Sequence, residues 1–152
     1  MTRRLTIAVL LALSCPCHGA DQRIEQLLDA IESVETGGLT REQKKNAVGD
    51  NGKSRGPYQI SYAYYLGASG QSKSPASRAR YHRVVKDKGA SRALVLSYWQ
   101  RYAMEALRKG DAPVLCSTHN GGPRGHLKAS TKAYWPKVKA ALACTASTRP
   151  VE

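Results

Sequence analysis

The chain has 152 residues, enough for one domain with a modest core. It carries 24 Lys and Arg against 11 Asp and Glu, a formal net charge of +13. That excess favours polyanionic partners. No recognition helix or RNA-binding signature accompanies it, so nucleic acid is not the expected partner.

The first twenty residues read as a separate object. Arg3 and Arg4 precede the apolar run "LTIAVLLALSC", and "PCHGA" follows as a small-residue exit. The run is too short to span a bilayer, so residues 1–20 are expected to be a signal peptide cleaved near Ala20, with residues 21–152 as the exported domain, periplasmic or extracellular. A membrane anchor and a lipoprotein site at "ALSC" fit less well. Cleavage removes two arginines and no acid, which lowers the net charge from +13 to about +11. It also removes Cys15 and Cys17, leaving Cys116 and Cys144. An even pair in an exported protein predicts one disulfide between them. A zinc site from Cys116, His119 and His126 lacks a fourth ligand, and no metal or cofactor is called for.

The stretch "DQRIEQLLDAIESVE" places Ile24, Leu27, Leu28, Ile31 and Val34 at helical spacing, with Asp21 as the expected N-cap and "TGG" as the stop. A polar loop, "LTREQKKN", is expected next. "AVGDNGKSRGPYQI" holds an Asp-Asn-Gly turn and three glycines and reads as a small β-hairpin. "SYAYYLGA" is a short helix. "RARYHRVVKDK" and "SRALVLSYWQRYAMEALRKG" are two longer ones, the second ending at Gly110. "APVLCSTHN" is a helix stopped by "GGP", and the tail is helical with a fresh start near Pro136. The sum is an α+β domain, mostly helix with one small β-element.

Two carboxylates stand out. On a helical wheel with Ile24 at zero, the apolar arc centres near about 340°, Glu35 falls at about 20° and Glu32 at about 80°. Glu35 therefore occupies a position expected to be apolar, and Glu32 lies at the rim. A carboxyl against apolar neighbours loses hydration and holds its proton, as a general acid requires. Asp50, in a polar glycine-rich turn, is the expected ionised partner, although Asp-Asn-Gly also favours turns for their own sake. A raised carboxyl and an ionised one facing across a cleft is the arrangement of a glycosidase.

The blocks "VETGG", "DNGKSRGPYQI", "HNGGPRG" and "STKAYWPKV", in that order, resemble the invertebrate-type lysozymes of the destabilase family. The similarity extends over about residues 30–144. It implies a lysozyme-like fold, with Glu35 on the family's catalytic glutamate and Asp50 on its catalytic aspartate. It further implies hydrolysis, with retention, of the β-1,4 bond between N-acetylmuramic acid and N-acetylglucosamine in peptidoglycan. Tyr58, Gln59, His119 and Asn120 would help hold the sugar, and Tyr134 and Trp135 would pack. Three departures are visible: Thr36 follows the glutamate where the family has Ser, the Asp-to-Gly segment is one residue shorter, and only two cysteines remain in the exported part. The expected partners are peptidoglycan strands and other anionic wall polymers, with no stable membrane insertion. A lytic transglycosylase using Glu35 alone and a non-catalytic cationic wall-binding module are the alternatives.

Overall fold

The computed structural model describes residues 17–147, so most of the expected signal peptide lies outside the described residues. Helix α1 spans Cys17–Thr36. It begins before Asp21, which is therefore an interior helical residue and not the expected N-cap. Leu27, Leu28 and Ile31 are buried along its apolar stripe, with Ile24 and Val34 packed against the same core. The helix stops where Gly38 turns to φ +79°. The Thr36 hydroxyl lies 3.1 Å from the carbonyl oxygens of both Glu32 and Pro57 and donates to one at a time; through Pro57 it ties the helix end to the β-region.

The segment expected as a polar loop contains a short helix, α2, Arg41–Asn46. Thr40 and Gln43 form a reciprocal capping box at its start. None of its residues is buried, so it carries no hydrophobic period to betray it.

The β-element is a three-stranded antiparallel sheet of two-residue strands: β1 Val48–Gly49, β2 Ser54–Arg55 and β3 Ile60–Ser61. Val48 pairs with Arg55 and Gly49 with Ser54; on the other side Ser54 pairs with Ser61 and Arg55 with Ile60. Gly56 lies at φ +76°, and a Cβ there would collide with the Val85 carbonyl, so only glycine lets the sheet approach that backbone.

Helices α3 (Tyr62–Ser69), α4 (Pro75–Val84) and α5 (Lys88–Tyr102) follow, capped by Ser61, Ser74 and Asp87. The long run expected to be one helix breaks at Ala103 (φ −147°, ψ 36°), which separates α5 from α6, Met104–Lys109. No proline or glycine marks that break. Helix α7 (Ala112–Gly121) stops at the expected glycines. Two 3-10 turns then lead to α8, Tyr134–Ser147, which starts just ahead of Pro136. The α+β expectation holds: helices enclose a small sheet, and α8 packs along α1. No helix among the described residues is long and apolar enough to cross a membrane.

The chain has eight tyrosines and no phenylalanine, so its aromatic core is lined with hydroxyls that need partners. Trp99 lies fully buried at its centre and donates to the Leu115 carbonyl at 3.0 Å. Tyr81 donates to the Ile60 carbonyl at 2.8 Å. Tyr64 stacks on Tyr98 with ring centroids 3.7 Å apart. This polar wiring inside the core reaches the catalytic-looking glutamate.

Candidate active site

Glu35 lies in the last turn of α1, with its side chain 18% exposed. Tyr134, the first residue of α8, is brought over it by the packing of α1 on α8. The Tyr134 hydroxyl donates to Glu35 Oε1 at 2.6 Å. His119 Nε2 lies 3.7 Å from the same oxygen, too far for a direct hydrogen bond. His119 Nδ1 is 3.2 Å from the Tyr64 hydroxyl. A chain of contacts thus runs Tyr64, His119, Glu35, Tyr134.

The electrostatics of that chain are set by burial. Loss of hydration raises the proton affinity of Glu35, and the nearby charge of Asp50 adds to it; the Tyr134 hydrogen bond and Lys137 pull the other way without reversing it. Burial pushes His119 down to about 4, against a weaker upward pull from the Tyr58 backbone, so its imidazole is neutral near pH 7. Glu35 therefore has a neutral donor and a neutral ring beside Oε1.

Asp50 sits in the turn between β1 and β2, exposed, with φ +49°. Asn51 (φ +54°) and Gly52 (φ +89°) continue the left-handed path, which Asp, Asn and Gly accept more readily than other residues. The Ser54 hydroxyl reaches Asp50 Oδ2 at 3.1 Å and Gln59 Oε1 at 3.0 Å. Having one hydrogen, it serves one acceptor at a time. Gln59 in turn donates from Nε2 to the Gly56 carbonyl at 2.9 Å. The shortened turn still brings the Asp50 charge within electrostatic reach of Glu35.

Other expected site residues fall elsewhere. Tyr58 is fully buried, with its hydroxyl unpartnered among the described residues; it is a core ring and offers no face to a sugar. Gln59 has both ends of its amide engaged inside the sheet, where it braces the Asp50 turn. His119 is nearly inaccessible, and its Nε2 lies beside Glu35. Asn120 is exposed at the end of α7 and remains available to a ligand.

The disulfide expected between Cys116 and Cys144 is not formed. Cys116 faces the core from α7 and Cys144 lies at the exposed surface of α8, so the two thiols occupy different environments. Burial pushes the Cys116 thiol up to about 12, which makes it a core side chain and not a nucleophile.

Glu32, the expected rim residue, is more deeply buried than Glu35. Its Oε1 is 3.1 Å from Lys44 and its Oε2 is 2.6 Å from Lys88. The wheel could not foresee this, because α2 and the start of α5 fold over that side of α1. Tyr134 and Ser54 were not singled out as site residues by the sequence. Tyr134 lies 99 positions from its partner, and no local pattern links them. Ser54, four residues after Asp50 and opposite Gly49 across the hairpin, is the one that hairpin register could have flagged.

The Destabilase family model matches residues 26–141. Invertebrate-type lysozyme 6 of Caenorhabditis elegans is 32% identical over 96 residues, which is 60% of this chain and 69% of that protein. Invertebrate-type lysozyme 2 of the same organism is 31% identical over the same shares. The crystal structure of Aeromonas hydrophila PliI in complex with Meretrix lusoria lysozyme contains a chain that superposes with a TM-score of 0.59 at 28% identity, covering 76% of this chain and 88% of that one. The family model covers most of the chain, and its range includes Glu35, Asp50, His119 and Tyr134: the chain belongs to the destabilase family of invertebrate-type lysozymes, which are glycoside hydrolases.

Proposed function

We propose that this protein is an exported lysozyme that cleaves the β-1,4 bond between N-acetylmuramic acid and N-acetylglucosamine in peptidoglycan, with Glu35 as general acid and Asp50 as nucleophile. The observation that carries the assignment is the pairing of Glu35 with neutral partners. Tyr134 holds Oε1, His119 stands neutral beside it, and burial raises the affinity of the carboxyl for its proton. Glu35 gives that proton to the glycosidic oxygen as the C1–O bond breaks. Asp50, anchored at Oδ2 by Ser54, meets the oxocarbenium-like centre and forms a glycosyl ester. Water then attacks C1, gives a proton to the Glu35 carboxylate and releases Asp50. The net reaction adds one water and retains the anomeric configuration. Asn120 is the proposed sugar contact on the α7 side. The basic, apolar start of the chain supports export, which puts the enzyme where its substrate lies.

Digestion of peptidoglycan in ¹⁸O-labelled water, followed by mass spectrometry, tests this. The new reducing ends are expected to carry the label, and Glu35→Gln is expected to yield none. Products lighter by one water would instead assign a lytic transglycosylase. Wall binding without cleavage by the parent protein would assign a non-catalytic module.

A further inference from the structure

One groove among the described residues is lined by none of Glu35, Asp50, His119 or Tyr134. It has a volume of about 1540 Å³ and runs between the end of α1, helix α2, strand β2, helix α4 and the start of α5. Eight lysines and arginines line it against three acids, a local excess of +5 (8 − 3). Four of those cations are matched: Lys44 and Lys88 by Glu32, Lys45 by Glu42, and Arg92 by Glu25 and Asp29. The other four, Arg41, Arg55, Arg83 and Lys86, have no carboxylate within 4 Å among the described residues. They come from α2, β2, α4 and the α4–α5 connection, so four separate segments contribute unmatched charge to the groove. His82, on the same wall, is held below its ordinary value by burial and then by Arg55, Arg78 and Lys86, a local report of positive potential.

We infer that this groove is a second binding site, separate from the Glu35 cleft, for a linear polymer that carries a phosphodiester in each repeat. Three of the four unmatched cations are arginines, whose planar fork fits phosphate oxygens in pairs. A groove of about 1540 Å³ with four unmatched cations from separate segments has room and charge for several anionic groups of one chain, more than a single ion requires. The lining includes no Tyr or Trp, so it offers no stacking platform of the kind single-stranded nucleic acid uses. Its apolar contribution is confined to Leu39, Pro57 and Ala79, with no large wedge for a lipid surface. The inference rests on the lysozyme reading in one respect: a wall-linked polymer bound here would hold the Glu35 cleft against the glycan and raise its effective concentration.

The test uses a fluorescent glycerol-phosphate oligomer of fixed length, with a thymidine oligonucleotide of equal charge and anionic phosphatidylglycerol vesicles as competitors. The triple variant Arg41→Gln, Arg83→Gln, Lys86→Gln changes only exposed side chains. It is expected to bind the oligomer roughly tenfold more weakly or worse, with a shallower salt dependence. A triple variant of equal charge change elsewhere, Arg108→Gln, Lys132→Gln, Lys139→Gln, is expected to bind as the parent does. Equal losses in the two triples would overturn the site in favour of general charge attraction. Competition by the oligonucleotide or the vesicles as effective as that of unlabelled oligomer would overturn the choice of ligand. Hydrolysis of an uncharged β-1,4-linked N-acetylglucosamine oligomer is measured in parallel. The groove triple is expected to retain it, and Glu35→Gln to lose it while keeping full binding of the phosphate oligomer. Should the parent fail to cleave that oligomer while phosphate binding still depends on the groove, the lysozyme reading falls and the groove assignment stands.

Discussion

Glu32 and Glu35 lie one helical turn apart on α1, yet the two sides of the helix treat them in opposite ways. Glu32 is the more deeply buried, at 6% exposure, and two ammonium groups close on it from α2 and α5. Glu35 keeps 18% of its side chain open and is met by a tyrosine hydroxyl and a neutral imidazole. The partners differ: two ammonium groups lie within ion-pair distance of Glu32, whereas Glu35 contacts a hydroxyl donor and an imidazole, and there the loss of hydration raises the proton affinity. One side of α1 thus carries an ion-pair network and the other a carboxyl that directly contacts uncharged side chains.

The comparison can be broken most sharply by exchanging function for stability. Glu35→Gln is expected to lower the rate of wall hydrolysis by about 10²–10⁴-fold, the usual span for a general acid, with the melting temperature preserved or raised. Glu32→Gln is expected to do the reverse: activity within a few-fold of the parent and stability lower by roughly 1–3 kcal/mol, as two lysines lose their carboxylate. If Glu32→Gln removed activity as completely as Glu35→Gln, the division between the two sides would collapse.

Neutrality of the Glu35 side also has a pH signature in stability. His119 titrates at about 4 when folded and near its ordinary 6.5 when unfolded. Between those values the unfolded chain binds the extra proton, so acid favours unfolding and stability rises with pH through this window. The difference is of order 3 kcal/mol, opposed in part by Glu35, whose raised proton affinity stabilises the fold towards lower pH. Chemical denaturation of the parent and of His119→Gln across pH 4 to 7 checks it: the variant is expected to flatten the slope.

Smaller effects refine the picture. Tyr134→Phe removes a donor that lowers the proton affinity of Glu35. The alkaline limb of activity is therefore expected to move to higher pH, with the maximal rate lower by about five- to tenfold through lost orientation. An alkaline limb that stays in place would show that Tyr134 only packs. Ser54→Ala frees Asp50 Oδ2 and is expected to reduce the rate several-fold, about 1 kcal/mol, with little change in stability. Ser54→Thr, which keeps the hydroxyl, is expected to recover part of that loss.

The elements that carry a hydrophobic period were legible in advance. The α1 stripe, the short helix after the sheet and the glycine stop after α7 follow from spacing and from where glycine alone is comfortable. Helix α2 was not legible, because its six residues are all unburied and its only signal is a Thr–Gln capping box. The break at Ala103 was not either, since no local residue type demands it. Within the site, the apolar arc singles out Glu35 and the turn singles out Asp50 as candidates. The burial of Tyr58 and the hydrogen bonds of Gln59 within the β-element were not legible, because a short segment between strands can point its side chains into the core or the sheet.

By itself the sequence determined the elements and their order, the basic excess and the candidacy of Glu35 and Asp50, since each rests on local spacing, composition or a short motif. Tertiary structure alone decided which glutamate meets neutral partners. Tyr134 and His119 come from helices 99 and 84 positions away from Glu35 in the chain, and Lys44 and Lys88 reach Glu32 from elements folded over the adjoining face. A proton is held by surroundings, and surroundings form only when the helices pack.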